Sequence, residues 1–351
     1  MITYTNLLEK ISERYKEKLP FVVYKKPDSK FVSGVFQDDS RLFTVKDYSE
    51  KGFVFAPFDD SLETVLIPAD KIIHAPYENI ELSKTKEAKI FDENEKSRER
   101  HVEFVDKTIK YIIESEVSKI VIARTKEISY SDFELISIFE RLLSKYPMAT
   151  SYVWYHPKVG LWLGATPEML LQIEGANFKT MSLAGTQQFV DTIDVSWGVK
   201  EIEEQQLVTD YVVSNLKKEA EEIYSSKTYT AKAGSLLHLR TDISGSIIKE
   251  KGIETLLKIL HPTPAVCGFP SVESKEFILN NENFDRSFYT GFFGELNIEE
   301  KTSLYVNLRC MQVINENLIR LYVGGGITDK SDAEKEWKET MAKCKTMESV
   351  L

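Results

Sequence analysis

The order of hydrophobic and polar residues along the chain predicts helices and strands in mixed succession. Residues 1–16 have the amphipathic spacing of a helix, and short alternating runs from Phe21 to Ile73 predict an antiparallel sheet. Residues 80–118 are polar and then helical. Later strands are predicted at 119–127, 151–157, 161–167, 169–175, 303–314 and 318–326, with helices near 131–145, 198–224 and 252–262.

This succession favours an α+β class. Strands outnumber those of a simple βαβ alternation, and long helices lie between hairpins. The chain has 351 residues, enough for two ordinary domains or one large one, and its 42% hydrophobic and 11% aromatic content is typical of a globular core. No internal repeat is found.

The composition argues against several classes of partner. The net charge is −10 and no lysine/arginine stripe is interleaved with aromatic residues, so we predict no nucleic-acid partner. No run of about twenty apolar residues is present, so no membrane span is predicted. The first residues lack the layout of a secretory signal, and the three cysteines are far apart, which favours reduced thiols and a cytoplasmic protein without zinc.

The segment 196–216, "SWGVKEIEEQQLVTDYVVSNL", places acids beside an apolar helix face. Glu201 and Glu204 are three residues apart and fall inside or at the rim of the apolar arc, so they project together. The arc itself is formed by Ile202, Leu207, Val208, Tyr211, Val212 and Leu216.

A second helix near the C-terminus, after Gly324–Gly326, repeats this arrangement. Its apolar face carries Trp337, and Glu336, Glu339 and Lys343 cluster along one edge of that face. Carboxylates turned toward an apolar interior are costly unless they are paired or bound to a metal. Two glutamate pairs could form an oxygen-rich site suited to Mg²⁺, or each pair could flank the core and reach solvent. Helix periodicity alone leaves both interpretations open.

Nine motifs follow one another along the chain: "SKIVIAR", "LGATPEML", "SLAGT", "KEIEEQQLV", "HPTPAVCGFP", "FDRSFYTGFFGEL", "LRCMQV", "VGGGI" and "EWKETMAKCKTM". In this order they resemble those of chorismate-utilising enzymes, a family that includes isochorismate, salicylate, anthranilate and aminodeoxychorismate synthases. The resemblance covers roughly residues 100–351, whereas residues 1–100 match only in general character. It implies one chorismate-binding domain over 1–351, an α+β fold with two antiparallel sheets packed as a central sandwich and helices outside, as in anthranilate synthase component I.

The resemblance also assigns a metal and a substrate site. It implies Mg²⁺ as cofactor, with Glu204 and Glu339 as the main metal-side carboxylates and Glu201 and Glu336 acting through water or behind them. The residues implied to bind chorismate are Gly324 and Gly326 through backbone N–H groups, Arg309 and Tyr289 at the other carboxylate, Lys343 beside the metal cluster, and Thr186 and His238.

Two positions distinguish the branches of the family. Lys119 stands where isochorismate and salicylate synthases have a lysine and anthranilate synthases a glutamine. Apolar neighbours would favour its neutral amine, which could take a proton from water. Ala184 replaces the nucleophilic lysine of many aminodeoxychorismate synthases. Glu168 matches the proposed general acid, and burial would keep it protonated, although a glutamate after a proline could equally begin a helix.

These residues imply an isochorismate synthase that adds water to chorismate at C2 while the C4 hydroxyl leaves, reversibly and with Mg²⁺. The expected pathway is menaquinone synthesis, with siderophore supply as the other destination. We expect a monomer that needs no glutamine amidotransferase subunit. Two alternatives stay open, a salicylate synthase that also eliminates pyruvate and a non-catalytic chorismate-binding protein.

Overall fold

The computed structural model describes residues 1–69, 72–78, 95–131, 133–248 and 252–351. Within them the chain forms a single α+β domain built on two antiparallel sheets, so the predicted fold class is confirmed. The described helices are α1 (Tyr4–Lys16), α2 (Glu95–Ile113), α3 (Leu135–Lys145), α4 (Val199–Leu216), α5 (Ile253–Leu260), α6 (Ser271–Asn281) and α7 (Ala333–Glu348).

The strands divide between the sheets in an interleaved order. The first sheet runs β15-β7-β19-β18-β9-β8-β1-β2-β6, and the second runs β12-β14-β11-β10-β17-β16-β4-β5-β3, with β13 also paired to β14. The strands of the first sheet are β1 (Phe21–Lys25), β2 (Phe31–Phe36), β6 (Ile73–Pro76), β7 (Lys119–Ser129), β8 (Thr150–His156), β9 (Gly160–Thr166), β15 (Gly268–Phe269), β18 (Cys310–Asn315) and β19 (Leu318–Ile327). Those of the second are β3 (Phe43–Thr44), β4 (Gly52–Ala56), β5 (Val65–Pro68), β10 (Met169–Glu174), β11 (Asn177–Gln188), β12 (Ala220–Ser225), β13 (Tyr229–Ala233), β14 (Leu236–Ile247), β16 (Phe292–Ile298) and β17 (Lys301–Val306).

An aromatic core joins the two sheets. Trp154 and Trp162 lie opposite each other on β8 and β9, and Phe55 of the second sheet stacks on Trp154 with ring centroids 4.7 Å apart. Phe293 and Tyr305 of the second sheet belong to the same cluster. Because β8 packs against this core on one face and against α1 and α3 on the other, it is buried along its whole length, including the polar residues Thr150, Ser151 and His156.

The helices cover the outer faces of the sandwich. Helices α1, α3 and α7 pack on the first sheet, while α4 and α5 pack on the second. Asp332 caps the N-terminus of helix α7, and its side chain accepts a hydrogen bond from the Lys335 backbone N–H. This cap fixes the first turn of the helix that carries Glu336 and Glu339. No described helix is long and apolar enough to cross a bilayer.

Three expectations about the elements were wrong or could not be followed. The helix predicted over 198–224 ends at Leu216, and β12 follows it at the edge of the second sheet. The strand predicted over 303–314 is two strands, β17 and β18, which lie in different sheets. Much of the predicted polar stretch from residue 80 falls outside the described residues, and α2 begins at Glu95.

Two of the points at which the chain crosses between the sheets lie together. Pro167 and Glu168 link β9 to β10, and 307–309 link β17 to β18. Two backbone hydrogen bonds join each crossing to a strand next to the other crossing. Val306 N–H of β17 donates to the Glu168 carbonyl at 3.0 Å, and Ala165 N–H of β9 donates to the Arg309 carbonyl at 3.0 Å. Arg309 has a φ of +48°, which turns the chain sharply at this point.

Candidate active site

A cleft opens where the two crossings meet the ends of α4 and α7. Its cavity volume is about 90 Å³, which is below the range of about 300–1,000 Å³ that small-molecule sites occupy. Most of the residues predicted for the site line it, although they come from three strands, two helices and the links between them. The predicted residues lining the cleft are Glu168, Thr186, Glu204, His238, Tyr289, Arg309, Gly324, Gly326, Glu339 and Lys343.

The glycines of β19 turn backbone groups into this cleft. Gly324 and Gly326 lie opposite Ala123 and Val121 of β7. Those two residues donate their N–H groups away from β19, Ala123 to Glu282 at 2.8 Å and Val121 to the Cys267 carbonyl at 2.7 Å. The two pairs are therefore of the non-hydrogen-bonded kind, so the N–H and C=O groups of Gly324 and Gly326 also face away from β7. This is the orientation needed to bind a carboxylate through the backbone.

Arg309 supplies a cationic group beside the glycine strand. Its Nη1 atom is buried and has no hydrogen-bond partner among the described residues, while Nη2 lies 3.4 Å from His238 Nε2. Because arginine only donates and the Gly185 carbonyl, 2.8 Å from His238 Nδ1, only accepts, the histidine carries its proton on Nδ1. Burial, with the Arg309 charge, lowers the pKa of His238 to about 3. A neutral His238 therefore orients Arg309 and leaves Nη1 for a ligand.

Glu168 is a buried carboxyl that holds its proton. It is 5% exposed, and burial raises its pKa to about 8 in spite of the positive charges of Lys119 and Arg309. Pro167 and Glu168 lie in the link between two strands, so the alternative that this glutamate begins a helix is wrong. At neutral pH the side chain can donate a proton into the cleft.

Lys119 reaches the cleft through Glu204. The lysine is 1% exposed at the start of β7, next to the buried Ile120, and its Nζ lies 2.8 Å from Glu204 Oε1. A Cβ on Gly326 would lie 2.7 Å from that same oxygen and 2.8 Å from Lys119 Cε. The predicted apolar surroundings are present, and the amine has in addition a carboxylate partner from α4.

The two acids of α7 differ in their surroundings. Lys343 Nζ lies 2.6 Å from Glu339 Oε1 and donates to the Gly324 carbonyl at 2.9 Å. Burial acts to raise the pKa of Glu339, but Lys343 and Lys200 outweigh it and the pKa is lowered. Glu336 is 2% exposed, and burial raises its pKa although Lys200 opposes the shift.

Lys200 is a site residue that the sequence analysis missed. Its Nζ lies 2.5 Å from Glu336 Oε1, so it joins α4 to α7. Burial acts to lower the pKa of Lys200, but Glu336, Glu204 and Glu339 outweigh it and raise the pKa. The available signal was its spacing, because Lys200 precedes Glu204 by one helical turn and so shares a face with it.

Two predictions about α4 need adjustment. Ile202 was expected in the buried stripe but is 52% exposed, because the helix buries only its face toward β11 and β14 at this end. The Glu201 carboxylate lies against Gly198 at the start of its own helix, and Glu201 is not among the residues that line the cleft. Glu204 is the α4 glutamate that the structure brings to the cleft.

The donor set fits a divalent cation held jointly with a ligand. Glu336 Oε2 is buried and has no hydrogen-bond partner in the described part of the chain, and it faces Gly325 next to Glu339 Oε1. No group of three or more His, Cys, Asp or Glu side chains positioned to hold a metal occurs within the described ranges. Mg²⁺ takes only one or two carboxylates and fills its remaining positions with water and substrate oxygens. The residues thus suit Mg²⁺ bound together with an anionic substrate.

We expect Gly326→Ala to lower kcat/KM by about 100-fold, since an ångström-scale displacement of reacting groups costs about that much. The added methyl group cannot coexist with the Lys119–Glu204 contact as it stands. Steady-state kinetics of the folded variant would measure the loss. Gly252→Ala is the control, because no heavy atom of the described residues beyond its chain neighbours lies within 4 Å of its added methyl, and it should keep the parent rate. Parent activity in Gly326→Ala would contradict the close packing described here.

Comparison with known proteins places this cleft in a family. Residues 57–351 match the family model described as chorismate binding enzyme. The chain is 33% identical over 249 residues to isochorismate synthase EntC of Escherichia coli (strain K12). The aligned residues cover 67% of this chain and 63% of that protein. The aligned part therefore spans slightly less than two thirds of that relative.

Solved structures share the fold over nearly the whole chain. MenF, the menaquinone-specific isochorismate synthase from Escherichia coli, superposes with a TM-score of 0.79 at 19% identity, over 95% of this chain and 88% of that one. Anthranilate synthase component I from Streptococcus pneumoniae TIGR4 superposes with a TM-score of 0.70 at 16% identity, over 93% of this chain and 90% of that one. With the family match over residues 57–351, these findings show that the chain belongs to the chorismate-binding enzymes.

Proposed function

We propose that the protein is an isochorismate synthase, which converts chorismate and water reversibly into isochorismate. The observation that carries this proposal is the buried Glu168, whose raised pKa of about 8 supplies a proton donor for the departing C4 hydroxyl. The cleft holds Arg309 and the inward-facing N–H groups of Gly324 and Gly326 on other sides. These groups are suited to the two carboxylates of chorismate.

In this proposal the chain binds and orients the dianion while two side chains move protons. Arg309 Nη1 and Tyr289 hold one carboxylate, and the Gly324 and Gly326 N–H groups hold the other. Burial raises the pKa of Tyr289, so its phenol remains a donor. Glu168 gives its proton to the C4 oxygen. Lys119, in its neutral form, takes a proton from the water that attacks C2.

We propose Mg²⁺ as the cofactor, held by Glu204 and Glu339, with Glu201 and Glu336 acting through water or behind them. When bound, the metal would neutralise and anchor the substrate carboxylate. The support is the unpartnered Glu336 oxygen beside Glu339 and the number of carboxylates that converge on the glycine strand. Lys343 stays bonded to Glu339 and the Gly324 carbonyl, so it fixes the ligand side chain against the substrate-binding backbone.

Product analysis tests the proposed reaction. Purified protein incubated with chorismate and Mg²⁺ should form isochorismate without pyruvate, and EDTA should reduce the rate at least 100-fold. The same mixture of chorismate and isochorismate should form from either compound, because the reaction only relocates a hydroxyl group. Pyruvate release would indicate a salicylate synthase, an ammonia-dependent fluorescent product an anthranilate synthase, and no product a binding protein.

We further propose that the enzyme is a cytoplasmic monomer that works without a glutamine amidotransferase subunit, because its nucleophile is water. The proposed pathway is menaquinone biosynthesis. A deletion strain that requires menaquinone would support this destination, whereas a strain that loses only a siderophore would contradict it. Light scattering of the purified chain tests the oligomeric state.

A further inference from the structure

Three of the four carboxylates of the proposed metal cluster have a lysine of their own. Lys119 of β7 lies 2.8 Å from Glu204, Lys200 of α4 lies 2.5 Å from Glu336, and Lys343 of α7 lies 2.6 Å from Glu339. The three ammonium groups and these three carboxylates cancel formally. These carboxylates are therefore balanced before any metal arrives.

The three lysines are not equally fixed. The side chain of Lys119 is 1% exposed and that of Lys343 is 14% exposed and also bonded to the Gly324 carbonyl. The side chain of Lys200 is 26% exposed. Of the three, Lys200 can therefore leave its carboxylate for solvent most readily, since its side chain already lies closest to water.

Glu336 presents a different environment at each of its oxygens. Oε1 is bonded to Lys200 and accepts from the Ser331 hydroxyl at 2.8 Å. Oε2 has no partner among the described residues and would lie 3.4 Å from a Cβ on Gly325, whereas Glu339 Oε1 would lie 4.0 Å from the same point. A divalent cation between these glutamates would thus lie beside the Lys200 ammonium, and like charges at such separations repel strongly in a partly buried site.

We propose that Lys200 is a built-in counter-ion of the metal site, which holds Glu336 in the metal-free protein and lowers the affinity of the free protein for a divalent cation. The inference rests on the proposed use of Mg²⁺. Lys200 keeps α4 and α7 together before the metal binds. It also makes tight metal binding depend on the negative charge that a substrate brings.

The test measures Mg²⁺ binding directly, by isothermal titration calorimetry of the whole chain without chorismate. Lys200→Met should bind Mg²⁺ at least tenfold more tightly than the parent, a change of about 1.4 kcal/mol. Lys200→Arg keeps the charge and should stay within threefold of the parent. Lys330→Met is the matched control, because Lys330 also pairs with an α4 glutamate, Glu203, at 2.7 Å, but with both side chains 56% exposed. Solvent screens that pair, so its loss should change the dissociation constant less than twofold.

Three results would overturn the inference. One is a Mg²⁺ dissociation constant of Lys200→Met within twofold of the parent. Another is an equal gain in Mg²⁺ affinity in Lys330→Met, which would show that the change in net charge alone is the cause. Should Lys200→Met not fold, Lys200→Gln is titrated in its place with the same criteria. Absence of Mg²⁺ binding in every variant would overturn the cofactor assignment as well. If Lys200→Met and the parent bind Mg²⁺ equally and the protein forms isochorismate, the proposed function stands and only the role of Lys200 is overturned.

Discussion

Glu168→Gln should lower kcat by about 1,000-fold, because general acid catalysis by a positioned side chain contributes roughly 10²–10⁴-fold. The glutamine amide fills the same space as the carboxyl group but has no acidic proton to give to the C4 oxygen. In the parent enzyme the rate should fall as the pH rises through about 8, where Glu168 ionises. The pH profile of kcat, measured for both proteins, should show this alkaline limb in the parent alone. A variant that keeps both the rate and the limb would contradict the assignment.

The stability of the same variant separates loss of the acid from loss of the fold. Between its ordinary value of 4.5 and about 8, the Glu168 carboxyl ionises in the unfolded chain but stays protonated in the folded one. The free energy of unfolding of the parent therefore falls over this range by about 1.4 kcal/mol per pH unit. Glu168→Gln avoids this cost and should be more stable than the parent by up to about 3 kcal/mol at pH 7. Urea unfolding at pH 5 and pH 7 would measure the difference, which should nearly vanish at pH 5.

Lys119→Met is expected to lower kcat by about 10²–10⁴-fold, as removal of a general base does. The substitution also leaves Glu204 without the partner at 2.8 Å, and breaking a buried ion pair costs about 3–5 kcal/mol. Kinetics and thermal unfolding of the purified variant would measure the two effects.

A double variant separates the two effects of losing Lys119. Lys119→Met/Glu204→Gln removes the uncompensated carboxylate, so most of the lost stability should return while turnover stays low. Parent-level turnover in Lys119→Met would remove the base from the mechanism. Restored turnover in the double variant would contradict both the base role of Lys119 and the metal-ligand role of Glu204.

The spacing of residues within one segment was sufficient to predict a helix or strand whose form depends on that segment alone. Helix α7 and the glycine strand before it follow from the spacing of Trp337, Glu336 and Glu339 and from three successive glycines. Short-range spacing also indicated that Glu204 and Glu339 belong to faces that meet other elements. The meeting of those faces in one cleft came from the family resemblance, since no local rule joins segments so far apart.

The errors arose where tertiary pairing overrides local preference. Residues 217–224 contain good helix formers, Lys, Ala and Glu, yet β12 starts at Ala220 because the open edge of β14 offers it hydrogen-bond partners. The alternating run 303–314 gives no sign of the turn at Arg309, whose positive φ is imposed by the crossing between sheets. Lys200 was not assigned to the site, because its partner Glu336 lies on a helix distant in sequence.

The bond between Val306 N–H and the Glu168 carbonyl joins the two crossings, and it makes activity a reporter of the last stage of refolding. An intermediate with only one sheet complete would regain much of its far-ultraviolet circular dichroism without the groups that bind and protonate a substrate. Pairings between such distant segments form slowly. Regain of catalysis should therefore lag behind regain of β-structure, and a lyophilised or heat-treated preparation is better judged by turnover than by its spectrum.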